Sequence, residues 1–149
     1  MKCTGVIAAI GLSMITAAVY AETVAALPLD QGYYVAGHLP CGQASNATLM
    51  LVSSNGISSA RSLCEFQKIQ RVDATTFRAH SHCEGLEVDE GNRGQAVHIV
   101  TYEILARTAF RFRNEDGWSG SARRCAQSTL PEPWRGNDTD KETFDGHDR

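Results

Sequence analysis

Turn signals recur along this chain at the short spacing expected of an antiparallel β protein, and no window between them shows convincing helical periodicity. Asn55-Gly56, Asp73-Ala74, the run from Glu90-Gly91 to Gly94, and Asp116-Gly117 each set an acid or amide beside a small residue. Asn and Asp bond to their own backbone two residues on, and Gly takes positive φ without steric cost, so such pairs reverse the chain. The stretches between them read as strands: Thr48 to Ser53, Ser59 to Val72, Thr76 to Glu84, Gln95 to Leu105, Thr108 to Asn114 and Trp118 to Cys125, with Tyr33 to His38 as an opening strand. Alternation is clearest at Phe110-Arg111-Phe112-Arg113. Successive side chains leave opposite faces of a strand, so one face there is apolar and the other cationic. The expected fold is all-β, a small antiparallel meander forming a sandwich or partly open barrel with two disulfides.

The two disulfides follow from the leader. Met1-Lys2 supplies a positive charge, Val6 to Ala18 is apolar and uncharged, and Val19-Tyr20-Ala21 ends on a small residue. That is the pattern of a secretory signal, with cleavage expected after Ala21. A membrane anchor is the competing reading, but the run is short for a span and lacks a basic flank. Of the five cysteines, Cys3 goes with the leader, leaving Cys41, Cys64, Cys83 and Cys125. An even number in an exported chain reads as paired cysteines, and no pair has the Cys-x-x-Cys spacing of a zinc-thiolate site. If Asp73-Ala74 is a two-residue hairpin loop, opposed residues sum to 147 and Cys64 faces Cys83. Cys64, Phe66 and Val72 then share a face with Phe77, Ala79 and Cys83, although Lys68 and Gln70 interrupt it. Cys41 and Cys125 remain as the second bridge, joining the two ends of the domain.

The expected division is a signal peptide over 1–21, a single β domain over 22–134 and a flexible polar tail over 135–149. Segment 22–32 is expected to be loosely ordered. Pro131, Pro133 and Gly136 mark the change toward Asp, Glu and Lys, with Leu130 and Trp134 as anchors. With 14 Lys plus Arg against 17 Asp plus Glu, the net charge of -3 argues against a nucleic-acid binder. After cleavage no later run approaches the roughly 20 apolar residues of a membrane span, so a periplasmic or secreted location is expected.

Candidate chemistry is sparse. His80 and His82 point the same way from one strand, and Glu65, opposite His82, adds a carboxylate, a weak metal set of the zinc or copper type. The other reading is two solvated histidines, and no cofactor is expected. There is no Gly-x-Ser-x-Gly elbow, no His-Glu-x-x-His helix and no cysteine left free, so an enzyme is not expected. In the last hairpin a loop at Asp116-Gly117 makes opposed residues sum to 233. Arg111, Arg113 and Arg124 then share a face and Arg107 extends the row, a cationic patch able to grip carboxylates, while Arg123 falls on the apolar side. Trp118 and Trp134 either anchor a partner or cover the open end of the sheet.

Ser119-Gly120-Ser121-Ala122-Arg123 resembles the Ser-Gly loop of the membrane-bound lysozyme inhibitor family. The match covers five residues and does not extend into the surrounding sequence, so no role passes to Ser119 or Ser121. In length, export pattern, cysteines and β-rich pattern the chain is similar to small bacterial periplasmic proteins that inhibit lysozyme or neutralise delivered toxins. The expectation is an exported non-enzymatic binding protein of the bacterial envelope, an inhibitor or immunity protein with a protein partner. Arg107, Arg111, Arg113, Arg124 and Trp118 are the expected contact residues. A small metal-binding protein using His80 and His82, or an unrecognised hydrolase, is the alternative.

Overall fold

The computed structural model describes residues 21–59, 62–84 and 96–137. The expected leader, apart from Ala21, the turn at Glu90 to Gly94, and residues 138–149 of the expected tail lie outside them. Nine strands form one sheet: β1 (Glu22–Val24), β2 (Gly32–Ala36), β3 (Leu49–Val52), β4 (Ile57–Ser59), β5 (Leu63–Arg71), β6 (Thr76–Glu84), β7 (Ala96–Ala106), β8 (Ala109–Asn114) and β9 (Ser119–Arg124). Their spatial order is β1-β5-β6-β7-β8-β9-β2-β3-β4, every neighbour antiparallel. The all-β expectation holds, and the sheet curls into a half-barrel.

The curl brings β4 back toward β5. Phe66 N–H donates to the Asn55 carbonyl at 2.6 Å, and Gly56 packs so tightly there that a Cβ would lie 1.8 Å from the Cys64 carbonyl oxygen. Only glycine permits that approach. Tyr34, Ile69, Phe77, Tyr102, Phe110 and Phe112 fill the concave side, and Leu27 and Leu29 join them. Segment 22–32 is therefore not loose as expected: β1 pairs with the end of β5, and both leucines are buried. On the convex side Tyr33, Val35, Leu49, Cys125 and Leu130 make a second cluster, packed against by Trp134. The segment after β9 covers β2 and β3 there. Arg135 Nε donates to the Leu130 carbonyl at 2.9 Å, and Gln127 Nε2 donates to the carbonyls of Trp134, at 2.9 Å, and Asn137.

Both bridges form as expected, Cys41 with Cys125 and Cys64 with Cys83. The route to the second differs from the expectation. The β5–β6 turn holds three residues, with Val72 N–H donating to the Thr76 carbonyl and Asp73 Oδ1 accepting from the N–H groups of Thr75 and Thr76. From Arg71↔Phe77 to Lys68↔His80 opposed residues sum to 148; an extra residue between Phe66 and Lys68 then restores 147, which sets Cys64 opposite Cys83 with 4.0 Å between Cα atoms. This bulge removes the interruption left by Lys68 and Gln70. Both turn to the convex face, and Ile69, 2% exposed, takes the concave position. Val72, expected inside, is 54% exposed.

Candidate functional site

The last hairpin carries the expected contact residues, and its turn is longer by one residue than expected. Glu115, Asp116 and Gly117 form the loop: Asn114 N–H donates to the Trp118 carbonyl at 2.9 Å, Asn114 Oδ1 accepts from Trp118 N–H at 2.8 Å, and Gly117 has φ of 86°. A third loop residue in the left-handed region is what glycine supplies in such hairpins. Opposed residues on β8 and β9 consequently sum to 232, as in Arg111↔Ser121 and Ala109↔Arg123. A one-residue slip moves every side chain of a strand to the other face. Arg124 therefore leaves the expected row and Arg123 enters it, which corrects both the row and the misplaced Arg123.

Arg123 and Arg124 are each held by backbone. Arg123 Nη2 donates to the Leu39 carbonyl at 2.6 Å and Nη1 to Cys41 Sγ at 3.4 Å, so this half-buried guanidinium pins the loop before the first bridge. Arg124 lies opposite Tyr34, and its Nε donates to the Gln31 carbonyl at 3.0 Å. Arg107 does not extend the row either. It sits at the β7–β8 turn, where Nε and Nη2 reach Asp30 Oδ1 at 2.9 and 2.6 Å. The Tyr34 hydroxyl donates at the same corner to the Asp30 and Arg107 carbonyls, 2.7 and 3.1 Å away. Burial pushes that phenol up to about 12, against the opposing pull of Arg124.

What remains on the convex face is Arg111, Arg113 and a residue outside the expected row, Arg78. The sheet aligns Arg78, Thr101, Arg113 and Ser119 in one cross-strand line and Thr76, Glu103, Arg111 and Ser121 in the next. Arg78 and Arg113 thus stand two strands, roughly 10 Å, apart. Arg78 pairs with Glu115 at 2.7 Å, Arg111 more loosely with Glu103 at 3.4 Å. Arg113 is exposed and, among the described residues, has no ion-pair partner. The β6–β7 register that brings Arg78 across from Arg113 follows a connection, residues 85–95, too long for a register to be counted across it from sequence.

Trp118 is 65% exposed and packs its ring 4.7 Å from that of Phe112, so it leaves the sheet on the concave side, opposite to Arg113. Gly120 makes space for this stack, since a Cβ there would lie 2.8 Å from Phe112 Cζ. The arginines and the tryptophan expected to act together thus serve different faces. His80 and His82 share the convex face; Glu65 stands opposite His82 as the expected register implied, whereas the bulge puts Lys68 rather than Gln67 opposite His80. His82 Nε2 lies 3.9 Å from Glu84 Oε1. Among the described residues no group of three or more His, Cys, Asp or Glu side chains is placed to hold a metal ion.

One concavity was not legible in the sequence. It is a groove of about 220 Å3 on the convex side of β2, β3 and β4, lined by Tyr33, Leu49, Leu51 and Trp134, with Asn46 and Ser58 among its polar groups. Its residues come from three strands, the loop before β3 and the C-terminal segment, which the chain's return over β2 brings together. Among the described residues no helix is long and apolar enough to cross a membrane. No protein-family model, no curated protein and no solved structure matches the chain.

Proposed function

We propose that this chain is an exported, non-enzymatic binding protein of the bacterial envelope, periplasmic or secreted, whose convex face over β6–β8 meets an acidic surface on a protein partner. On this reading the chain inhibits that partner or confers immunity to it. Arg113 is the observation that carries the reading: an exposed guanidinium without an ion-pair partner among the described residues, beside the loosely paired Arg111. Carboxylates of a partner would meet these groups bidentately, and electrostatic attraction would speed encounter. The two disulfides suit an oxidising compartment and stiffen the sheet that presents the site. Trp118, on the other face, is a separate anchor at the sheet's end.

The experiment is capture from bacterial envelope extract with the tagged chain, compared with an Arg111→Glu/Arg113→Glu double variant. Both side chains point to solvent, so the variant's melting temperature should match that of the parent. The captured partner should be lost with the variant and should elute from the parent as salt rises. A partner retained equally by both chains, and at high salt, would remove this face from consideration.

A further inference from the structure

The groove beside Trp134 combines an apolar lining with hydrogen-bonding groups that the fold does not use. Tyr33, Leu49 and Leu51 line it from the sheet and Trp134 from the covering segment, and none of its lining residues carries a charge. Trp134 is fixed by its carbonyl, which accepts from Gln127 Nε2 at 2.9 Å. Asn46 stands on the turn before β3, closed by Leu49 N–H donating to the Ser45 carbonyl at 2.9 Å and Ser45 N–H donating to Thr48 Oγ1 at 3.0 Å. The exposed side-chain amide of Asn46 makes no hydrogen bond among the described residues, and neither does the indole N–H of the half-buried Trp134.

The volume of about 220 Å3 exceeds the ~150 Å3 of an apolar cavity that takes up benzene, so one six-membered ring with its substituents fits. The lining limits the chemistry of that ring. A charged occupant would give up water and find no counter-charge among the lining residues. A wholly apolar occupant would strip water from the Asn46 amide and the Trp134 N–H without offering either a partner. A sugar ring meets both demands: the C–H bonds of one face suit the negative face of an indole, and its hydroxyls can exchange hydrogen bonds with the amide and accept from the N–H. We infer that the groove is a binding site for a neutral glycan, one pyranose ring seated between Trp134 and β3 and the rest of the glycan in solvent. This site is independent of the arginine face and of the protein partner proposed for it.

The test uses the full chain carrying Trp118→Phe, so that Trp134 is its only tryptophan, titrated with the neutral trisaccharides maltotriose and triacetylchitotriose. At least one of them should shift the Trp134 emission saturably, with a Kd of the order of millimolar, as suits a site for a single ring. Nuclear Overhauser contacts should join the ring protons of that sugar to the Trp134 indole and to the methyls of Leu49 and Leu51. Asn46→Ala, on an exposed turn, should melt like the parent and bind about three- to tenfold more weakly through the loss of one hydrogen bond. If neither trisaccharide shifts the emission, the inference is overturned. A shift without those contacts, or an affinity unchanged by Asn46→Ala, places the sugar elsewhere and overturns it too. Toluene that contacts the same methyls and that neither trisaccharide displaces assigns the groove to an apolar side chain of a partner, with the same consequence.

Discussion

Among the described residues the convex side of the sheet is covered over β2 and β3 and bare over β6, β7 and β8, and the two regions differ in sequence as they do in burial. β2 reads Tyr33-Tyr34-Val35, each 5% exposed or less, whereas β8 alternates buried Phe110 and Phe112 with exposed Arg111 and Arg113. A strand packed on both faces has no reason to alternate; one with a wet face must. The difference teaches that the segment after β9 belongs to the core. Leu130 and Val35 are both fully buried, like Phe110 on the concave side. The bare region keeps its polar face because nothing among the described residues lies over it.

The largest expected effect separates the two bridges. Cys41–Cys125 fastens the covered region across a sequence separation of 84, Cys64–Cys83 the far hairpin across 19. Restriction of the unfolded chain then predicts losses of about 4–5 and about 3 kcal/mol when each pair is replaced by Ala. Urea unfolding of the two double variants checks it. Equal losses would mean that strain or residual structure outweighs loop length.

Next come the two clusters. Phe110→Ala should destabilise by about 3–5 kcal/mol and Leu130→Ala by about 2–5 kcal/mol. Denaturant midpoints decide, and a loss below about 1 kcal/mol for Leu130→Ala would break the comparison by making the cover an accessory. A smaller contrast tests the register. Arg123→Ala strands the Leu39 carbonyl in a half-buried loop and should cost about 1–3 kcal/mol, while Arg124→Ala, at an exposed site, should stay within about 0.5–1 kcal/mol. The reverse ranking would restore the two-residue turn.

The smallest effect lies in the β5–β6 turn. Hydrogen bonds from Thr75, and then Thr76, hold the Asp73 carboxyl below its ordinary value of 3.8. The folded value is the depressed one, so the stability this group contributes is fully present above pH 3.8 and is lost as pH falls through the lower folded value. Asp73→Asn should therefore flatten the acid limb of a stability profile and leave the neutral region nearly unchanged. A profile with the same acid slope in both chains would place the acid sensitivity elsewhere.

Much of this architecture was legible in the sequence, and the reasons for success differ from strand to strand. Thr76 to Glu84 was bounded correctly because a turn pair and strict alternation agree there. The Cys64–Cys83 pairing came out right although the turn was read as one residue too short, because the bulge before Lys68 makes up the missing residue. No bulge compensates the same misreading at Asp116-Gly117, and the arginine row was misassigned. β1 and β4, each three residues long, are too short to show a period at all.

The sequence alone determined the class of structure, the faces of the alternating strands and the cysteines available for pairing. Those are local properties, set by the two-residue period of the strand and by which residues can turn. Loop length was not local information. Asp-Gly serves two-residue and three-residue hairpins alike, and the choice depends on how the joined strands twist and pack. Tertiary structure therefore decided the register, and with it that Arg123 braces a loop while Arg113 stands free of ion pairs among the described residues. It also decided that the segment from Gln127 to Asn137 folds back over β2, where Leu130 and Trp134 pack on Tyr33 and Val35 and remove their apolar surface from water.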